Sequence, residues 1–356
     1  MEWGDRVDLL VHLAGLIRDE EEGKGLLYFF DDGYVYGSGG HFEFEVQCGS
    51  DFECCVRASE FYDVCRILDR RIGYKMLLKG GCLVIEGIDF EGRINIADWW
   101  EIERITKVLP QKRKFGEVVE VNLDRKVMEV IKKVSKIPLS MNTVIPKVVC
   151  FRKDGIFSTD TVRLACYFTP FLFLQGSEVL ALSAQGLRQL VDVMEDEVLI
   201  NAIFVDGKLY LEFDGFYVGI LSYDVSYPDL ADILSEHKER AKRFIVGQEV
   251  GNELEKIVKI LEDDDFLYLF VEGGWLQVKV FSSRRFELRR RFQVVSVEDC
   301  GIGVMAKNLN GILENVEEFG ISSQSLYLRT TEGIEYVVAG IVELEERLRR
   351  NRDGDK

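Results

Sequence analysis

The residues best suited to chemistry are few in this chain, and their spacing gives them little to do. Three histidines occur in 356 residues, His12, His41 and His237, and none has a second ligand at metal-binding spacing. The eight cysteines, at 48, 54, 55, 65, 82, 150, 166 and 300, include no C-x-x-C pair and lie mostly in apolar segments. Buried, reduced thiols are expected there, rather than a disulfide scaffold or a zinc site. Two acidic runs, Glu20-Glu21-Glu22 and Glu262-Asp263-Asp264-Asp265, could hold a cation. No further carboxylates are set up by spacing, so both read as solvated turns. The patterns G-x-x-x-x-G-K-[ST], G-x-G-x-x-G after a strand, H-E-x-x-H and G-x-S-x-G do not occur. The expectation is a protein that is not an enzyme, with no metal and no cofactor.

Basic residues are arranged more tellingly. Lys and Arg number 45 against 62 Asp and Glu, a net charge of −17 that alone argues against a polyanionic partner. Yet over Leu123–Ile137 the apolar stripe is Val127, Val130, Ile131, Val134 and Ile137, and the opposite face carries Arg125, Lys126, Lys132, Lys133 and Lys136. Only Asp124 and Glu129 offset these, so a face of +5 and −2 sits in an acidic chain. A solvated helix face usually mixes both signs; four lysines on one side also suit a phosphate backbone, read by charge without sequence information. Lys256 and Lys259 are accompanied by Glu253 and Glu255, and Arg66, Arg70, Arg71 and Arg188 lie on or near shorter helices. The run Arg284-Arg285-Phe286-Glu287-Leu288-Arg289-Arg290-Arg291 alternates like a strand. It is either a nucleic-acid patch or an exposed strand protected from edge aggregation by charge.

The elements that carry these residues form a repeat. Apolar residues at i, i+3, i+4, i+7 predict helices over Val7–Ile17, Val127–Ile137 and Leu254–Leu261, with shorter ones at Phe61–Leu68, Leu187–Met194 and Leu309–Val316. Each shorter helix precedes a strand pair: Met76–Leu78 with Cys82–Ile85, Leu199–Phe204 with Leu209–Phe213, and Leu326–Leu328 with Glu335–Val338. The shorter helices start 126 and 122 residues apart (187 − 61 and 309 − 187). A period of this length means triplication of a domain rather than a solenoid. The class is α+β: three repeated domains, each with antiparallel sheets and two helices on one face. Charged stretches at Pro110–Lys114 and Ser235–Arg243 read as linkers, giving domains 1–113, 114–237 and 238–344 with an extension 345–356. The N-terminus has no basic n-region or cleavage site, and the longest apolar runs, such as Cys166–Leu174, are too short to cross a bilayer. A cytoplasmic protein with no membrane partner is expected.

Within this frame several stretches resemble one family. Ser158-Thr159-Asp160-Thr161-Val162-Arg163-Leu164-Ala165 is similar to the Thr-Asp-Gly-His-Arg-Leu-Ala strand of the bacterial-type DNA sliding clamp, the beta subunit of the replicative DNA polymerase. Ser226-Tyr227-Pro228-Asp229-Leu230-Ala231-Asp232-Ile233-Leu234 resembles that family's Phe-Pro-Asp-Tyr-x-x-Val-Leu-Pro. Arg57–Cys65 looks like its first-domain helix opening, Leu182-Ser183-Ala184 opens the second helix of the middle unit, and Tyr336-Val337-Val338 looks like its last strand. The chain departs from the family at Thr161-Val162, in place of Gly-His, and at Ala339-Gly340-Ile341, in place of Met-Pro-Met/Val. It also continues through Glu345–Lys356, where Glu345/Arg349 and Glu346/Arg350 suit a short helix. A divergent clamp, a virus-encoded one included, would fit these departures.

The resemblance implies a processivity factor: two subunits joined head to tail as half-rings that encircle double-stranded DNA without sequence preference and tether the polymerase. Basic helix faces would line the hole and an acidic exterior would repel DNA. By the same resemblance Lys24, Arg125, Lys126, Lys132, Lys133, Lys136, Arg188, Lys256 and Lys259 would face DNA. Ile260 and Leu261 would meet Ile94 of a second copy, although all three serve equally well as core residues. Short peptides of the replicative polymerase and the clamp loader would enter a pocket of Arg163, Leu164, Pro228, Ile233, Val337, Ala339 and Ile341, most of which also read as ordinary core. Two other readings stay open: a clamp-fold protein that binds or sequesters replication partners without encircling DNA, and a nucleic-acid-processing enzyme that would need a metal or nucleotide site.

Overall fold

The computed structural model describes residues 5–18, 25–39, 42–68, 73–106, 125–139, 146–170, 179–194, 199–205, 207–225, 229–282, 287–295 and 298–341. Its elements follow one order three times: helix, four strands, helix, three strands. The first pass is α1 (Asp5–Arg18), β1 (Leu26–Phe29), β2 (Tyr34–Gly39), β3 (Phe42–Gln47), β4 (Cys54–Arg57), α2 (Ala58–Cys65), β5 (Lys75–Lys79), β6 (Cys82–Glu86) and β7 (Glu91–Asn95), then an added α3 (Trp99–Thr106). The second is α4 (Arg125–Val134) continued by α5 (Lys136–Leu139), β8 (Val148–Arg152), β9 (Gly155–Thr159), β10 (Arg163–Phe168), β11 (Leu180–Ser183), α6 (Ala184–Met194), β12 (Leu199–Val205), β13 (Lys208–Phe213) and β14 (Phe216–Leu221). An added α7 (Leu230–Arg240) and β15 (Lys242–Ile245) lead to the third. This comprises α8 (Gln248–Val258), β16 (Phe266–Glu272), β17 (Trp275–Phe281), β18 (Glu287–Gln293), β19 (Cys300–Met305), α9 (Ala306–Leu309), β20 (Val316–Ile321), β21 (Ser325–Thr330) and β22 (Ile334–Ala339).

The helices form where apolar spacing predicts a buried stripe, with instructive differences. Val7, Leu10, Leu13, Ala14 and Ile17 of α1 are fully buried, and so are Val127, Val130, Ile131 and Val134 of α4. Helix α8 starts six residues before the expected Leu254, because Val250 joins the stripe. The expected helix Leu309–Val316 is instead the short α9, Ala306–Leu309. Gly311 turns the chain at φ +76°, and the buried Glu255 carboxylate accepts from the amides of Gly311 (3.1 Å) and Leu313 (3.4 Å). The stretch expected as a linker at Ser235–Arg243 is largely helix α7. Asp229 caps it by accepting from the amides of Ala231 and Asp232, while only Leu230 and Leu234 are buried. The other expected linker, Pro110–Lys114, lies outside the described residues.

Strand pairing cuts across the repeats. A seven-stranded sheet runs β12-β13-β14-β3-β2-β1-β4, and an eight-stranded one runs β11-β8-β9-β10-β22-β21-β20-β15. Each joins half of one repeat to half of the next along an antiparallel seam: β14 to β3, from Phe216↔Val46 to Ile220↔Phe42, and β10 to β22, from Arg163↔Val338 to Tyr167↔Ile334. Two smaller sheets remain, β5-β6-β7 and β18-β17-β16-β19, with β7 and β18 at edges. The chain accordingly divides into two compact units, Met1–Asp124 with Gln185–Tyr223, and Arg125–Ala184 with Asp224–Lys356.

The first seam is tied by a buried carboxylate. Glu43 on β3, 5% exposed, accepts from Tyr36 Oη (3.1 Å), Lys208 Nζ (2.6 Å) and Tyr210 Oη (2.5 Å). It pairs across the seam with Gly219, where a Cβ would meet the Tyr210 ring at 2.7 Å and Glu43 Cγ at 2.9 Å. Only glycine leaves room for that network. Cys54 and Cys150 are buried, and burial pushes each thiol up to about 12. Among the described residues no His, Cys, Asp and Glu cluster could hold a metal ion, and no helix is long and apolar enough to cross a membrane.

Candidate nucleic-acid interface and partner cleft

The basic residues of α4 lie opposite its apolar stripe in the structure. Arg125, Lys126 and Lys136 are exposed and Lys132 half-buried, while the apolar stripe beneath them is closed. Lys133 is neutralised: its Nζ lies 2.7 Å from Glu332 Oε1, on the turn between β21 and β22. Lys126 Nζ stands 5.9 Å from the Tyr167 ring centroid. Lys132 lies in the last turn of the helix, where its charge also complements the dipole. The basic residues of α8 contribute less. Lys256 pairs with Glu253 at 3.4 Å, and Lys259 with Glu314 at 3.3 Å and Glu255 at 3.6 Å, so their fields largely cancel. Arg188 is exposed on α6, in the other compact unit, and Lys24 lies outside the described residues.

The second constellation lies in the unit that holds β10 and β22. Leu164 and Val337 face each other across the seam, each only 5% exposed. Arg163 is only 3% exposed and does not reach outward. Its Nε donates to Asp160 Oδ2 (2.8 Å) and its Nη2 to the Ile137 carbonyl (3.2 Å). Asp160 Oδ1 in turn accepts from the amides of Val162 (3.0 Å) and Arg163 (2.7 Å), so the ion pair shapes the turn. Ile233, Ala339 and Ile341 stay at least partly exposed, whereas Pro228 lies outside the described residues. Helix α7 packs over β10, β21 and β22, fastened by His237 Nδ1 to Ser325 Oγ (2.8 Å) and Lys238 to Glu335 (2.9 Å). Arg152 Nη1 reaches Asp229 Oδ1 at 2.8 Å and holds that carboxyl below its usual range.

Thr161 occupies the turn at φ +75°, a left-handed conformation that costs a β-branched residue most. Thr161→Gly is expected to stabilise the protein by about 0.5–1 kcal/mol, since the relieved strain exceeds the added chain entropy. Chemical denaturation of the parent and variant measures it; an unchanged or lower midpoint would refute the strain.

The residues expected at a subunit contact divide. Ile260, just after α8, is 58% exposed and Leu261 is half-buried, but Ile94 is 1% exposed within the three-stranded sheet. Ile94 therefore supports β7 from inside rather than offering a surface. Spacing identified the α4 face because an amphipathic helix sorts its charges. It missed Glu332, which lies 199 residues from Lys133 in sequence, and Asp160, whose partner is set by the turn.

These features belong to a fold already known. No family model matches the sequence, and no curated protein matches it. Solved structures do match the fold. A DNA polymerase sliding clamp from Pseudomonas aeruginosa superposes with a TM-score of 0.71 at 13% identity, over 96% of this chain and 99% of that one. "Caulobacter crescentus pol III beta" gives 0.73 at 15% identity, over 96% and 100%. A putative DNA polymerase III beta subunit from Eubacterium rectale gives 0.73 at 12% identity, over 94% and 97%. The chain has the sliding-clamp fold along nearly its whole length.

Proposed function

We propose that this protein is a DNA sliding clamp. Two copies close head to tail around duplex DNA, and each copy supplies three clamp domains, 1–113, 114–237 and 238–344. The basic face of α4, set in a chain of net charge −17, is the observation that carries the reading. A local patch of like charge holds phosphates by position and leaves sequence unread. No reacting group is needed, because a closed ring retains DNA by topology.

The strand seams support closure by a second copy. In the recurring order of elements β7, β14 and β22 correspond, and so do β3, β10 and β18. β14 joins β3 and β22 joins β10 within the chain, which leaves β7 and β18 as the unmatched members of the series. A head-to-tail partner would match them. Ile260 and Leu261 at the end of α8 then gain cover, which removes exposed apolar surface worth about 25 cal/mol per Å². Changing Ile260 and Leu261 to Ala is expected to raise the dimer dissociation constant about tenfold, at the ordinary cost of truncated interface residues. Sedimentation over a concentration series reads it, and parental behaviour would remove these residues from the contact.

Partner peptides of the polymerase and loader would anchor on the exposed side of the cleft, at Ile233, Ala339 and Ile341, over Leu164 and Val337. Leu164→Asp would bury a charge between two strands and disturb folding, so Ile233→Asp, on the surface of α7, is the cleaner test. It is expected to weaken an apolar clamp-binding peptide about tenfold, as loss of an anchor contact does. Equal binding would place the pocket elsewhere.

The function itself is tested by topology. Protein loaded onto closed circular duplex should withstand a high-salt wash and be lost when the circle is cut. Equal retention on linear and circular DNA would favour a clamp-fold protein that does not encircle.

A further inference from the structure

We propose that the outer face of the four-stranded sheet β18-β17-β16-β19 binds single-stranded nucleic acid, at a site separate from the basic helix face. Residues alternate between the two sides of the sheet, although Phe270 on the outer side is itself only 6% exposed. Leu267, Leu269, Val271, Leu276, Val278 and Val280 are fully buried on one side. Their neighbours stand on the other side, where strand register sets aromatic rings beside cations. Lys279 pairs with Tyr268 on β16 and Arg289 on β18; Gln277 pairs with Phe270 and Arg291 in the adjacent row.

The rings are arranged as a platform. Tyr268 and Phe270 stack at 5.3 Å between centroids, and Phe266 and Phe281 stack at 4.9 Å. Trp275, at the start of β17, is 46% exposed, and Tyr268 and Phe281 are partly so. Lys279 Nζ lies over the Phe270 ring at 5.0 Å, so the cation already sits on an aromatic face. Arg291 makes no ion pair among the described residues, and Arg289 and Arg291 are both exposed. Glu272 at the rim accepts from Gln277 Nε2 at 3.3 Å and is the carboxylate nearest Trp275 along the register. By register Lys279, Arg289 and Arg291 outnumber Glu272 and Glu287 on this face, in a chain of net charge −17.

The chemistry selects the ligand. Cations two residues apart on a strand are about 6.8 Å apart and follow the backbone of an extended polyanion. Aromatic rings between them offer surfaces on which unpaired bases stack, a pairing that every base can make. Duplex DNA would use the charges and leave the rings unused, because its bases are already stacked on each other. An acidic peptide would do the same. The edge of β18 stays available for strand pairing, since edge pairing uses backbone groups and the proposed site uses the face. This inference does not rest on the clamp reading.

The test is fluorescence anisotropy of a labelled oligothymidylate with the full-length protein across a salt series. Arg291→Glu with Lys279→Glu should weaken binding tenfold or more and lower the log–log salt slope by about 1.4, at about 0.7 per single-strand phosphate contact. Trp275→Ala should cost about fivefold, at the low end for loss of one base stack, and Trp275→Phe should restore it. Arg291 and Trp275 are exposed and Lys279 is partly so, and thermal melts verify folding. Lys132→Glu with Lys136→Glu, which removes phosphate contacts but no ring, should weaken oligothymidylate binding less than the sheet variants do. The proposal is overturned if the sheet variants bind as the parent does while the α4 variant does not. It is equally overturned if polyglutamate competes as well as oligothymidylate and Trp275→Ala has no effect, which would assign the face to an acidic protein.

Discussion

Reversing Lys132 and Lys136 to Glu is expected to reduce the protein captured on circular duplex by a hundredfold or more at physiological salt. The two lysines lie on the exposed side of α4 and its continuation α5, away from the closed stripe of Val127, Val130, Ile131 and Val134. If each neutralises one phosphate, a two-copy ring loses four contacts, and the log–log salt slope falls by about 3.6, at about 0.9 per phosphate. Introduced glutamates add repulsion to that loss. Lys133 provides the internal control. It is already paired with Glu332, so Lys133→Gln should move the slope by less than Lys136→Gln does. Capture measured from low to high salt decides the matter. A reversed variant with the parental slope would remove α4 from the DNA-facing surface.

Glu43→Ala is expected to destabilise the first compact unit by about 3 kcal/mol, a cost typical of breaking one side of a buried ion pair. The change strips two tyrosine hydroxyls and the Lys208 ammonium of their common acceptor at the β3–β14 seam. Lys208 is partly exposed and can rehydrate, which keeps the cost at the lower end of the range. Glu43→Gln, of nearly equal size, keeps an acceptor for one tyrosine and should cost less than half as much. Calorimetry of parent and variants would show the loss in one transition only, because the second unit contains none of these residues. A Glu43→Ala protein that melts as the parent does would make the network incidental to the seam.

Much of the architecture is legible in the sequence because it depends on local spacing. Apolar residues at helical intervals mark α1 and α4, and polar turns at Lys79–Gly81 and Thr330–Gly333 mark hairpins that the structure contains. Helices with thin apolar stripes escape such a reading. α7 buries only Leu230 and Leu234 and is otherwise charged, so it resembles a linker until its cap and its contacts with β10, β21 and β22 are seen. Long-range pairing escapes it altogether. Glu43 reads as the polar member of an alternating strand, and nothing near it announces Lys208 or Tyr210, 165 and 167 residues away. The candidate site divides on the same principle. The α4 face is a local pattern and was readable, whereas the burial of Arg163 against Asp160 and of Ile94 within its sheet is decided by tertiary packing.

The seam between β3 and β14 also bears on how the chain is made. The first compact unit is discontinuous: Met1–Asp124 must wait for Gln185–Tyr223 before its seven-stranded sheet is complete. During synthesis the first 124 residues emerge with β3 as an open edge, and the ribosome must deliver about a hundred more before β14 can cover it. At roughly 5–20 residues per second that interval lasts on the order of ten seconds. An uncovered strand is a template for the wrong partner, including the same strand of a neighbouring nascent chain. The repeat that looks like an independent module in the sequence is therefore a poor place to cut. A fragment ending after the first repeat should aggregate through β3, and one extended to Tyr223 covers β3 but leaves β10 open until β22 is made.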